Sequence, residues 1–338
     1  MILNVSGRTD IVAFYSKWFM NRYKEGFFDV RNPFYPKMIS RIYFKNVDAI
    51  VFCTKNPLPI LNSLKEIKIP IIFDVTLTPY KNDIEPNVIS KGKIIDAIKK
   101  LSNIVGIDNL YVRYDPIFLS DKYNLEYHKK AFSKMCQLLN GYVKQIIISF
   151  IDNYKNVIKN QRILKYHNFT LNDFKEIGTS FSKIASLYNM TVQTCCENND
   201  LVNYGFKKSS CVTKEQIYNL TGKNFKNWKA RQNPKCDCVE MVDIGVYNSC
   251  PHLCKYCYAN FDEEKVEQLR NNPNIIRNKL KIKASISNAK IFKSIQEEYQ
   301  TFYNYLCTFT HGKINYETGK TTSTLSDSIS NDLKTCRP

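Results

Sequence analysis

The stretch Asp243-Ile-Gly-Val-Tyr-Asn-Ser-Cys250-Pro-His-Leu-Cys254-Lys-Tyr-Cys257-Tyr-Ala-Asn260 places three cysteines at C-x3-C-x2-C spacing directly after a short apolar run. Thiolates that close together are suited to hold a metal. Structural zinc takes four protein ligands and most electron-transfer clusters take four cysteines, so three thiolates from one loop fit a [4Fe–4S] cluster with one iron left open. The competing reading is a zinc knuckle completed by His252 or by a distant cysteine, because zinc accepts the same spacing. His252 itself reads as an outer hydrogen-bond donor or a solvent-exposed residue rather than a ligand.

With Tyr256 in the aromatic place of C-x3-C-x-aromatic-C, the loop resembles that of the radical SAM enzymes. The resemblance implies that Cys250, Cys254 and Cys257 bind three irons and that S-adenosylmethionine chelates the fourth. Reduction by a donor such as flavodoxin or ferredoxin would then release a 5′-deoxyadenosyl radical, which abstracts hydrogen from a substrate. A closer resemblance rests on Ser6-Gly-Arg8-Thr9-Asp10, Val30-Arg31-Asn32-Pro33-Phe34, Thr54-Lys55-Asn56-Pro57 and Arg113-Tyr-Asp115-Pro116 together with the cysteine loop. These segments look like a bacterial family known only as a domain of unknown function (DUF1848), over about residues 1–261. That family brings an expectation of fold and cluster, and no substrate.

A chain of 338 residues with 43% hydrophobic residues can bury a substantial core, as one barrel-sized domain with an appendage or as two ordinary domains. No apolar run is long enough for a membrane span, and Met1-Ile-Leu-Asn-Val lacks the basic and apolar regions of a signal peptide, so a cytoplasmic protein without a membrane partner is expected. Twelve cysteines in such a chain point to reduced thiols used for metals or reactivity, and most of them cluster between Cys195 and Cys257. The net charge of +18 allows a nucleic acid or a phosphorylated metabolite as substrate. The excess is carried overwhelmingly by lysine spread along the chain, whereas phosphate-reading surfaces more often cluster arginine.

Short β-branched runs at Ile2–Val5, Ala49–Cys53, Ile71–Leu77, Leu110–Tyr114, Gln145–Phe150 and Thr191–Thr194 alternate with amphipathic stretches. This is the pattern of strand–helix units around a parallel sheet. Helices are expected after the caps Asp10, Ser90, Asn124 and Thr170, the last with Asp173 three residues on. The absence of a Gly-rich dinucleotide fingerprint favours a TIM-barrel-like β/α fold over an open doubly wound sheet. Residues 198–234 lose periodicity and read as an excursion over the barrel mouth. Val242–Tyr247 then reads as a last strand feeding the cysteine loop, whereas most radical SAM enzymes place that loop after the first strand. A circular permutation, with the last strand beside the first, reconciles the two. Residues 262–338 read as a Lys-rich C-terminal extension, with a helix to about Arg270, another around Ile291–Leu306, and a mobile end from Thr321 to Ser330.

Strand ends of a parallel barrel are where active sites are built. Arg8 and Asp10 follow the first strand, Arg113 and Asp115 the fourth, and these four are the candidate catalytic residues; Thr9, Lys55-Asn56, Thr76 and Thr78 occupy equivalent ends. Asp10 also reads as a plain helix cap, and Asp115 as a partner for Arg113. Asp152, Glu197 and Glu240 are ambiguous between substrate contacts and loop caps. Cys211, Cys236, Cys238 and Cys195 form a candidate auxiliary site for a second iron–sulfur cluster or zinc, supported by the family's cysteines in the same contexts, with Cys196 the alternative to Cys195. The expectation is therefore a radical SAM-type enzyme. The alternative is a non-catalytic zinc or iron–sulfur protein that binds nucleic acid.

Overall fold

Along most strands apolar side chains fill both faces for a few residues and then give way to polar ones on one face, and that change locates the site. The computed structural model describes residues 1–35, 37–194, 197, 201–226, 238–260, 279–313 and 322–335. Ten strands are described: β1 (Ile2–Val5), β2 (Phe27–Arg31), β3 (Ile39–Tyr43), β4 (Ala49–Thr54), β5 (Ile71–Thr76), β6 (Leu110–Ile117), β7 (Gln145–Phe150), β8 (Thr191–Thr194), β9 (Lys207–Lys208) and β10 (Met241–Asp243). Eight of them form one sheet in the order β10-β1-β4-β5-β6-β7-β8-β9, every pairing parallel. The last strand lies beside the first, with Ile2 opposite Met241 and Asn4 opposite Asp243. The described pairings do not join β9 to β10.

The helices follow from caps and apolar stripes. Asp10 caps α1 (Ile11–Phe14) by accepting from the Ala13 amide, and the chain breaks at Tyr15 before α2 (Ser16–Glu25). Ser90 precedes α3 (Lys91–Val105) without bonding it, Asn124 caps α4 (Leu125–Leu139), and Thr170 and Asp173 make a reciprocal capping box on α7 (Leu171–Ser186). The short α5 (Lys155–Lys159) and α6 (Gln161–Leu164) lie between β7 and α7. The β4–β5 crossover is a 3₁₀ helix, Leu58–Glu66, entered through Pro57 and with Pro59 in its first turn, where a missing amide leaves no bond unmade.

Leu3, Phe52, Phe73, Val112, Ile146 and Val192 point to the face where α1 to α4 and α7 pack. Phe132 of α4 stacks on Phe181 of α7 at 3.9 Å. The opposite face is covered near the strands' N-terminal ends, where Ile2, Ala49, Val51 and Ile72 meet Val212 and Ile217. The described part of the stretch read as an excursion over the mouth, residues 201–226, divides: Leu201 and Phe206 join the helix-facing core, and Val212 and Ile217 cover the opposite face near the strands' N-terminal ends. It contributes β9 and α8 (Lys214–Thr221).

Three further features differ from the sequence reading. An antiparallel hairpin, β2–β3, intervenes before β4. The helix expected around Ile291–Leu306 is two, α9 (Lys279–Tyr299) and α10 (Phe302–Thr310), separated at Gln300, whose φ is 65°, with Thr301 capping the second. The Thr/Ser-rich end, for which no helix was expected, contains α11 (Thr324–Thr335), whose Asp332 accepts from the Tyr305 hydroxyl at 2.8 Å. The helix expected to Arg270 lies outside the described residues. Among the described residues no helix is long and apolar enough to cross a membrane.

Candidate metal centre

The parallel strands deliver β1, β4, β5, β6 and β7 to one edge, where their C-terminal ends and the cysteine loop enclose a cavity of about 350 Å³. Its lining includes Arg8, Asp10, Lys55, Asp115, Asp152 and all three loop cysteines. Asp10 joins these elements. One carboxylate oxygen accepts from the Ala13 amide (2.9 Å) and the Thr54 hydroxyl (2.8 Å), the other from the Lys55 amide (2.8 Å) and His252 Nε2 (2.9 Å). With four donors Asp10 has no free lone pair directed at a ligand, so it holds the loop to the sheet. Arg8 is likewise occupied: its Nε donates to Asp243 at 3.1 Å, joining the ends of β1 and β10. Gly245 lets the chain leave β10 against this turn, since a Cβ there would lie 2.9 Å from the Arg8 and Thr9 amide nitrogens.

The loop is fastened on several sides. The Tyr15 hydroxyl donates to the Ser249 carbonyl (2.6 Å), Asn87 to that of Pro251 (2.7 Å), Asn160 to that of Lys255 (2.7 Å), and Asn260 to that of Cys250 (2.8 Å). Asn156 reaches the Cys257 carbonyl, and the Tyr258 hydroxyl that of Gly7. His252 is buried against the Phe14 ring, its Nδ1 without a partner among the described residues.

The three sulfurs fit a thiolate-bound metal group in chemistry and surroundings. Burial pushes the Cys250 thiol up to about 12, with the Asp10 charge adding to it, and also raises Cys254 and Cys257. Thiols so placed ionise when a cation compensates them. Backbone amides already point at sulfur: those of Asp10 and His252 at Cys250, and that of Ala259 at Cys257, 3.4 Å away. Amide hydrogen bonds to sulfur are among the features that tune iron–sulfur clusters. The buried Thr9 hydroxyl and His252 Nδ1, both without a partner among the described residues, add polar atoms at the same cavity. No group of three His, Cys, Asp or Glu side chains among the described residues stands ready to hold a single ion. A cubane would not require one, because each thiolate binds its own iron.

Two charged networks flank the sulfurs. Glu85, 1% exposed, accepts from Lys55 Nζ (2.9 Å) and the Thr78 hydroxyl (2.6 Å) and contacts Lys91 Nζ and the Tyr256 hydroxyl. Burial opposes its charge, but the two lysines outweigh burial and hold its pKa near 2. Tyr256 therefore points at Glu85, anchoring the loop. In the second network Arg113 donates to Asp115 from Nε (3.0 Å) and Nη2 (2.7 Å), and to Cys211 Sγ at 3.1 Å. Burial works against the Asp115 charge, yet Arg113 and the Ser149 hydroxyl keep its pKa below the ordinary range. Asp74, one layer deeper, is pushed up to about 7 by burial despite Arg113 3.8 Å away, and its Oδ1 has no partner among the described residues.

A family model described as a domain of unknown function (DUF1848) matches residues 2–259. This chain belongs to the DUF1848 family. The match ends just past Cys257, so the sheet, both charged networks and the loop of this DUF1848 protein all lie within it. A second model, described as methyladenine glycosylase, matches residues 255–336, a segment that begins in the cysteine loop and includes α9 to α11.

Of the residues singled out from the sequence, Arg8, Asp10, Asp115, Cys250, Cys254, Tyr256 and Cys257 line the one cavity, and Arg113 lies beneath Asp115. Asp152 also lines it, whereas Glu197 accepts from the Phe150 amide at 3.0 Å and is pushed up to about 7 by burial. Glu240 is exposed. Of the auxiliary cysteines, Cys211 and Cys238 sit on neighbouring segments, tied where the Val239 amide donates to the Val212 carbonyl at 3.1 Å. Cys195, Cys196 and Cys236 lie outside the described residues. Glu85 and Lys91 escaped the sequence reading: Lys81-Asn-Asp-Ile-Glu85-Pro looks like a solvated loop, and only the partners supplied by Lys55 and Tyr256 give it meaning.

Proposed function

We propose that this DUF1848 protein is a radical SAM-type enzyme in which Cys250, Cys254 and Cys257 hold a [4Fe–4S] cluster and S-adenosylmethionine occupies the remaining iron. The observation that carries this reading is the meeting of three thiols, Cys254 buried and Cys250 and Cys257 half-buried, the latter two with amides directed at their sulfurs, in one cavity at the C-terminal ends of parallel strands. When bound and reduced, such a group supplies a 5′-deoxyadenosyl radical for hydrogen abstraction. The chain's own part is to hold, orient and exclude. Asp10 and His252 fix the loop to β1 and β4, while Asn87, Asn156 and Asn160 clamp it from the strand-end loops. Arg113, Asp115 and Ser149 form a wall whose hydrogen bonds direct the Asp115 carboxylate toward the cavity, where it can accept from a substrate.

Strand order that follows the chain, with the main crossover helices on one face and β10 beside β1, supports a circularly permuted β/α barrel rather than a doubly wound sheet. A flavodoxin- or ferredoxin-type electron donor and a cytoplasmic setting go with this reading. The test is anaerobic reconstitution followed by incubation with S-adenosylmethionine and dithionite. 5′-Deoxyadenosine should form with the native protein and be lost in Cys254→Ala; a reconstituted protein that forms none contradicts the proposal.

A second reading concerns the substrate. The methyladenine glycosylase match over residues 255–336, together with the charge of +18, favours a nucleic acid over a free metabolite. The same two observations would also suit a non-catalytic metal protein that binds nucleic acid. Anisotropy titrations with DNA and RNA should show affinity falling steeply with salt, since each phosphate contact releases counterions. Affinity that does not depend on salt, or no binding at all, sinks the nucleic-acid reading.

A further inference from the structure

The buried charges beside Cys254 do not cancel. One carboxylate, Glu85, serves two ammonium groups: Lys55 at 2.9 Å, and Lys91 in contact with the other oxygen. Its remaining partners, Thr78 and Tyr256, are hydroxyls and add no charge. The trio therefore carries one excess positive charge; Asp115, which also acts on Lys55, is already paired with Arg113, so the excess at Lys55 calls for an anion. Of the two lysines, Lys55 is the one that lines the cavity with the sulfurs, its side chain 13% exposed against 31% for Lys91. Its Nζ lies 5.4 Å from the centre of the Tyr256 ring. Since Tyr256 stands between Cys254 and Cys257 in the chain, the ammonium faces the stretch of loop that carries those two sulfurs. The Cys250 end is built differently, with the Asp10 carboxylate and two backbone amides.

From this asymmetry we infer that Lys55, fixed by Glu85 against the Tyr256 ring, is an electrostatic positioning residue whose ammonium stabilises the reduced cluster and raises its reduction potential. The inference rests on the cluster reading given above. Reduction adds one electron to the cluster, taken from a one-electron donor of the flavodoxin or ferredoxin class, and moves no proton. A fixed cation within a few ångströms favours the more negative product state. Lys91, nearer solvent, is more strongly screened.

The test compares midpoint potentials of reconstituted wild type, Lys55→Met, Lys55→Arg, Lys91→Met and Glu85→Gln, by redox titration followed by electron paramagnetic resonance and normalised to iron content. Lys55→Met should make reduction about tenfold less favourable, a shift of about 59 mV to more negative potential for a one-electron couple. Lys55→Arg should stay near wild type, and Lys91→Met should shift less than Lys55→Met. Glu85→Gln, which leaves the ammonium groups uncompensated, should shift the opposite way, and this variant decides the matter if Lys55→Met does not load. Equal potentials in loaded wild type and Lys55→Met, a larger shift for Lys91→Met, or a negative shift for Glu85→Gln overturns the role of Lys55. A wild-type protein that takes up neither iron nor sulfide overturns the cluster reading itself.

Discussion

The two faces of the same strands are built to opposite specifications. On β5, Phe73 and Val75 point to the helices while Asp74 between them points inward; on β6, Val112 and Tyr114 alternate with Arg113 and Asp115. The helix-facing side is hydrocarbon, and each large side chain buried there contributes roughly 1.5–3 kcal/mol. The inward side near the mouth buries Asp10, Asp74 and Glu85 beside the half-buried Arg113, ions whose desolvation costs several kcal/mol each before pairing offsets it. Stability alone gives no reason to build that second face. What it provides is a rigid, charged cavity around three thiols.

Substitutions on the two faces should separate these roles. The largest effect is expected for Glu85→Ala, which strands two lysines and frees Tyr256. It should cost about 3–5 kcal/mol in urea unfolding and also impair iron uptake; unfolding alone, with normal iron content, would break the link between network and loop. Phe132→Ala should cost about 3–5 kcal/mol through the cavity left beside Phe181, with iron per folded chain unchanged. Asp10→Asn keeps a competent helix cap but turns an amide donor toward the Lys55 amide and His252. A loss of about 1.5–3 kcal/mol and weaker iron retention are expected, read by unfolding and iron assay.

The smallest and most specific effect concerns pH. Asp74 has a folded pKa of about 7, above its ordinary 3.8, so the folded state holds the proton more tightly. Its contribution to stability is full below about pH 4 and is lost as pH rises through 7. Glu85 has the opposite sign: held near 2, it stabilises above its ordinary 4.5, and this is lost as pH falls toward 2. Unfolding free energies measured from pH 4 to 8 should decline less in Asp74→Asn than in wild type. Parallel curves would show that Asp74 is not the group responsible.

The helix-facing side was largely legible in the sequence, because β-branched runs and caps such as Thr170 and Asp173 act locally. The meeting of the three loop cysteines was legible as well, since they lie within eight residues of one another. So was the loop's place beside β1, which the circular permutation called for and the pairing of Ile2 with Met241 shows. The Glu85 network was not legible: its meaning depends on Lys55 and on Tyr256, 171 residues away. The packing of Val212 and Ile217 against Ile2, Ala49, Val51 and Ile72 was also hidden, as they are sparse apolar positions in a polar stretch. The hairpin β2–β3 escaped because its exposed residues blur the alternation of period two.

The proposed [4Fe–4S] cluster in the loop would bind S-adenosylmethionine at its open iron. The most direct measurement is the electron paramagnetic resonance spectrum of the anaerobically reconstituted, dithionite-reduced protein with and without S-adenosylmethionine. The account predicts a cluster signal that changes when S-adenosylmethionine is added and disappears in Cys254→Ala. A colourless protein with bound zinc and no signal, or a cluster signal indifferent to S-adenosylmethionine, would contradict it.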